Sequence, residues 1–167
     1  GGENKVDNFD LNMFYTIDST NRSVLGFKKS DILFKNNEWT INKNKNKLNK
    51  IAFTRDFKNF DFYTLVMSHF EERMELSGEI KDHNFKDIKL NFNDVDLINI
   101  TPRIDSLNLG GLVNGQLELI QKNGVYLPNS NTVISQLKAN DIDLGDLSAQ
   151  IRGNQSLTQY TVDVSLD

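Results

Sequence analysis

The chain has 167 residues, 23 acidic against 19 basic for a net charge of −4, and no cysteine. That length holds one ordinary domain with a sizeable core. The mild charge gives no electrostatic case for nucleic acid or an anionic membrane surface, and the missing cysteine excludes disulfide staples and thiolate chemistry.

In chain order, period-two alternation dominates, the mark of strands with one apolar face. FDLNMFYTI (9–17) sets Phe9, Leu11, Met13, Tyr15 and Ile17 on one side and reads as a single strand. VLGF, DILF and WTI follow at 24–27, 31–34 and 39–41, then NKNKNKLNK at 42–50, which reads as a solvated loop or hairpin tip. IAFTRDF (51–57) resumes the alternation, but YTLVMSHFEERM (63–74) breaks it. There Leu65, Val66, His69, Phe70, Arg73 and Met74 recur at helical spacing, which predicts a short helix. MELSGEI (74–80), IKLNF (88–92) and VDL (95–97) return to strand. ITPRIDSL (100–107) predicts a second helical turn, with Thr101 as N-cap and Pro102 at the first helical position. Strands follow at 109–121, 132–137, 142–144, 147–151 and 160–166. The connections KNN, KDHN, QKNG, LPNSN and RGNQS are turn formers, and strands at such spacing argue an all-β fold.

The breaks expose an internal repeat. NFDFYTLVMSHFEERMELSGEI (59–80) aligns with DVDLINITPRIDSLNLGGLV (94–113), each with an apolar–Asp–apolar strand end, a break, and then L-x-G-x-apolar. NDIDLGDLSAQIRG (140–153) echoes the same strand end with a Gly turn in place of the break. A repeated strand-rich unit points to an array that grows by stacking. The pattern stops mid-strand at YTVDVSLD, so residues 1–167 read as a single segment of something longer. Gly110, Gly111 and Gly115 fall inside the strand LGGLVNGQLELIQ, where glycine marks a bulge, a bend or a close backbone approach.

Enzymatic and metal signatures are missing. His69 and His83 have no second His or Cys at ligand spacing. Asp94/Asp96 and Asp141/Asp143 have the spacing for Ca²⁺ or acid/base work, but Val95, Leu97, Ile142 and Leu144 take the other parity, so the acids read as the wet side of the strands. No nucleophile elbow, phosphate loop or dinucleotide fingerprint occurs, and no catalytic residue or cofactor is expected.

Residues 59–167, above all VDLINITPRIDSLNLGGLVNGQLELIQ and LKANDIDLGDLSAQIRGNQSLTQYTVDVSL, resemble the TamB translocation and assembly module family of the AsmA-like superfamily, in a Bacteroidetes-type member. The first 58 residues carry no distinctive motif of it. The resemblance implies a curved, antiparallel or mixed β-sheet trough (a β-taco or half-pipe) with an apolar concave face and one or two short helices. It implies a periplasmic location in a parent anchored in the inner membrane, reaching a BamA-like outer-membrane barrel protein through other parts of that chain. It implies a function in moving phospholipid between membranes and supporting outer-membrane biogenesis; from the charge balance, no nucleic acid is expected as a partner. The residues expected to line the groove against phospholipid acyl chains are Leu76, Ile80, Ile88, Leu90, Phe92, Leu109, Val113, Leu117, Leu119, Ile151, Val162, Val164 and Leu166.

Two other readings compete. Residues 1–17 and 160–167, as strand edges, would dock nascent outer-membrane strands or associate edge to edge. A closed β-sandwich for adhesion or glycan binding would gather aromatics at loop tips, for which Trp39 beside the NKNK loop is the one hint.

Overall fold

The computed structural model describes residues 7–34, 36–101, 107–153 and 159–167. Among these, 13 strands form one open, curled, antiparallel sheet. The first six are short: β1 (Asn8–Asp10), β2 (Met13–Ile17), β3 (Ser23–Phe27), β4 (Ser30–Phe34), β5 (Asn37–Ile41) and β6 (Lys50–Phe53). The rest form a meander of longer strands: β7 (Asn59–His69), β8 (Glu72–Lys81), β9 (Phe85–Asp96), β10 (Leu109–Lys122), β11 (Val125–Ala139), β12 (Ile142–Gly153) and β13 (Tyr160–Leu166). A single helical turn, α1 (Leu97–Ile100), interrupts the meander.

Each meander strand pairs with its sequence neighbours, from β7 through β13. At β7 the sheet forks. Its C-terminal residues Met67 and Ser68 pair with β5, which continues to β4 and β1, while Phe60–Phe62 pair with β6, which continues to β3 and β2. FDLNMFYTI is therefore two strands: Phe9 joins one branch and Met13–Ile17 the other. LPNSN, expected as a turn, lies inside β11. Two of the hairpin turns use left-handed residues in pairs, Asn123-Gly124 and Asn140-Asp141, each with two positive φ angles, the geometry that matches the twist of a two-residue hairpin.

The helix expected over 63–74 does not form: β7 and β8 make a hairpin that reverses at Phe70-Glu71. Leu65 and Met67 share one face, while Val66 is buried on the other, its amide donating to Asn49 Oδ1 at 2.8 Å. With both faces apolar, period two disappears and a helix-like spacing takes its place. A helical turn forms just upstream, over Leu97–Ile100, with Asp96 as its N-cap, accepting from the Ile98 amide, and Thr101 as its C-cap. The turn expected over 100–107 lies mostly outside the described residues, which omit 102–106.

Three bulges keep one face apolar. The register slips between Phe62 and Leu65 on β7, between Phe92 and Val95 on β9, and between Ile134 and Leu137 on β11. In each case three steps on one strand oppose two on its neighbour, so the apolar residue on either side of the slip keeps the same face. On β9 the extra residue is Asp94 and on β11 it is Gln136, both with positive φ.

Among the described residues the tightly buried cluster stands at one end of this face. Trp39 on β5, 1% exposed, packs with Val95 on β9 and Val113 on β10, and α1 adds Leu97 and Ile100. Three ladder steps separate β5 from β9, about 14 Å across a flat sheet. Contact between their side chains requires the sheet to curl towards the apolar face. Apart from α1, the strands pack mainly on their ladder neighbours, so among the described residues no second sheet covers that face. The closed sandwich is thereby corrected to a single curled layer.

Candidate apolar trough

Directly paired residues on antiparallel strands share a face, so the register places each side chain. One row crosses six strands: Leu76, Leu90, Leu117, Ser130, Ile151 and Val162. A second runs through Met74, Phe92, Gly115, Thr132, Ala149 and Val164. A third joins Val95, Val113, Ile134, Leu147 and Leu166. Ile88 pairs with Leu119, and Ile80 continues β8 on the same side. The structure thus brings twelve of the thirteen expected lining residues into adjoining rows of one face; Leu109 stands apart at the far end of β10, paired with Ala139.

This face is apolar without being filled. Leu117 and Leu119 are 43% and 41% exposed, although they lie on a central strand. Val162 on the edge strand is 60% exposed. Glycine keeps the floor thin: a Cβ on Gly115 would stand 2.1 Å from the Asn131 carbonyl oxygen, and one on Gly78 would stand 1.9 Å from that of Asp87.

Sequence reasoning missed the two ends of the face. Towards the β5 branch, Phe9, Ile32, Phe34, Trp39, Met67 and Met74 surround an apolar pocket of about 330 Å³, with Ile100 from α1. Trp39, the one hint of a loop-tip aromatic for the sandwich reading, is instead a buried residue of β5, 1% exposed. Its indole Nε1–H is buried without a partner, and its ring lies 5.3 Å from that of His69, whose Nδ1 lies 2.7 Å from the Glu38 carbonyl oxygen. Towards the β6 branch, the rings of Phe53, Phe57, Phe60 and Phe62 stack at centroid separations of 5.3–6.4 Å. Direct pairing of Phe53 with Phe60 was the available signal, but it requires knowing that 51–57 and 59–62 are adjacent strands.

The opposite face is polar. Glu75, Asn91, Gln116, Asn131 and Gln150 form a cross-strand row. Beside it Lys89 Nζ lies 3.0 Å from Glu118 Oε1, and Asn129 donates to Glu118 Oε2 at 2.8 Å. Burial alone would raise the Glu118 pKa, but the Asn129 and Lys89 contacts outweigh it and hold the carboxyl below its ordinary value.

The acidic pairs serve local structure. Asp96 caps α1, Asp94 sits in the β9 bulge, Asp141 in a turn, and Asp143 Oδ1 accepts from the Gly145 amide at 3.0 Å. Among the described residues no three His, Cys, Asp or Glu side chains gather where they could hold a metal ion. No protein-family model, curated protein or solved structure matches the chain. Fold and side-chain chemistry are therefore the evidence for function.

Proposed function

We propose that the chain is a non-enzymatic segment of a lipid conduit, its apolar trough shielding phospholipid acyl chains as they pass along the sheet. The carrying observation is a continuous apolar face that the molecule leaves uncovered, with Leu117 43% exposed in mid-sheet. Covering a methylene is worth about 0.8 kcal/mol, so a few such contacts hold a chain. Rows of similar Leu, Ile, Val and Phe contacts offer no deep trap, which suits sliding. Head groups would remain in the open slot. The resemblance of residues 59–167 to the TamB family supplies the setting: a periplasmic segment of an envelope-spanning parent that meets a BamA-like barrel protein elsewhere along its length.

Native mass spectrometry of the purified chain tests this. Phospholipid adducts that survive gentle desolvation, and return after delipidation and re-exposure to lipid, are expected. A chain that never carries lipid would overturn the reading. A second reading, docking of a partner strand, is favoured by one observation: among the described residues β13 pairs only with β12 and its other edge has no partner strand.

A further inference from the structure

The lysine-rich segment 42–50 is not a loose tip. Asn42, 3% exposed, donates through Nδ2 to the carbonyl oxygens of Phe27 and Asn46 at 2.8 and 3.0 Å, and its Oδ1 accepts from the Asn46 amide at 2.9 Å. Asn49, 2% exposed, donates to Asn46 Oδ1 at 2.9 Å and accepts from the Val66 amide at 2.8 Å. Buried amides thus fix the loop against β3 and β7.

The fixed loop walls a cleft of about 780 Å³, to which it contributes Lys45 and Lys47, with Lys50 at the start of β6 and Lys28 and Lys29 after β3. Its floor is apolar: Phe14 on β2 and Val24 on β3, which point away from the trough because Tyr15 and Leu25 take the other parity. Lys29 lies 3.7 Å from Asp31, and Lys50 sits over the Tyr63 ring at 4.3 Å. The ammonium groups of Lys28, Lys45 and Lys47 have no partner among the described residues. The one carboxylate in the wall, Asp18, is engaged by Arg22 at 2.9 Å. Five cations on one cleft of a chain whose net charge is −4 is a local inversion of sign.

We propose that this cleft binds an anionic amphiphile, a phosphate head joined to an apolar tail. Unpaired ammonium groups on several sides meet the several oxygens of a phosphate, and the tail covers Phe14, which is 39% exposed. The site lies on the opposite face from the trough and does not depend on the conduit reading.

The test is calorimetric titration with a water-soluble, short-chain phosphatidic acid below its micelle concentration. Inorganic phosphate and the matching short-chain phosphatidylcholine are the comparison ligands. The proteins are the full chain, the triple variant Lys28→Gln/Lys45→Gln/Lys47→Gln, and Leu117→Arg in the trough. Phosphatidic acid should bind the chain and Leu117→Arg alike, and the triple variant about tenfold or more weaker. Free phosphate and phosphatidylcholine should also bind the parent more weakly, and raised salt should weaken the interaction. These lysines are exposed, so the thermal midpoint of the triple variant should match the parent's. Four results would overturn the proposal: no binding of phosphatidic acid, binding unchanged in the triple variant, binding lost only in Leu117→Arg, or free phosphate binding as tightly as the amphiphile.

Discussion

Gly115 and Gly110 are five residues apart on one strand, yet only one of them is required to be glycine. Gly115 has φ +124, and a Cβ there would collide with the Asn131 carbonyl oxygen, whereas a Cβ on Gly110 would meet nothing nearer than Lys138 Cβ at 4.0 Å. Gly115→Ala should lose at least the ~1–3 kcal/mol of a strained backbone, with more from the collision, while Gly110→Ala should be close to neutral. Urea unfolding of the two variants checks this; equal stability would contradict it. That glycine marks a close approach was legible in the sequence. Which glycine does so was not, because the answer lies in the carbonyl of a strand 16 residues further along.

Charged residues at this scale give a pH dependence. The Arg22 amide, the Thr20 hydroxyl and the Arg22 guanidinium hold the Asp18 carboxyl far below its ordinary range, and Glu118 is held low by Asn129 and Lys89 against its burial. A depressed folded-state pKa stabilises above the unfolded value and is lost as pH falls through the folded one. Glu72 runs the other way: burial raises it, so its contribution is present in acid and lost as pH rises through its folded value. Asp56 is also held low, by the Thr54 hydroxyl and the Lys58 amide, so with three groups against one the unfolding midpoint should fall on acidification below about pH 4. Asp18→Asn should flatten that fall; a steeper one would contradict the assignment.

Strands and their pairing order were partly legible. Period-two runs located most of the sheet, because one-sided burial leaves an alternating trace. The trace failed on β7, where Val66 and Met67 bury on opposite faces, and at residues 9–17, where a continuous alternation conceals a change of partner between β1 and β2. It also broke at each bulge, since an extra residue shifts the parity without moving the apolar face. β13 carries a prediction of its own. Asp167 and Asp146 exchange both backbone hydrogen bonds, so by alternation Asp163 and Ser165 point their amides at β12. Val162, Val164 and Leu166 then direct theirs outward from the open edge. Such an edge templates association with another strand. Val164→Pro removes an outward donor without cutting the ladder, so concentration-dependent association in sedimentation should fall while the unfolding midpoint holds. A parent chain that remains monomeric at high concentration would contradict this.

The whole molecule is a curled layer with a core at one end and an uncovered apolar face along the rest. The gathering of the lining residues on one face was legible, since it follows from parity. The pocket under Trp39 and the lysine cleft were not, because each joins segments that only the fork at β7 brings together. The measurement that bears most directly on an open trough is a substitution in its floor. In a packed core, Leu117→Arg would bury an unpaired charge and cost several kcal/mol, a large part of a domain's stability. On an open face the arginine stem lies along the apolar wall with its guanidinium in water. The control belongs on the polar face at Asn131, which is exposed beside Gln116 and Gln150, and not at Glu118, whose carboxylate is nearly covered and pairs with Lys89. Thermal midpoint and bound phospholipid should be measured together for the parent, Leu117→Arg and Asn131→Arg. Leu117→Arg should stay folded with a small loss of midpoint and a clear loss of lipid, and Asn131→Arg should change neither. An unfolded Leu117→Arg, or one that keeps its full load of lipid, would contradict the open trough as a lipid path.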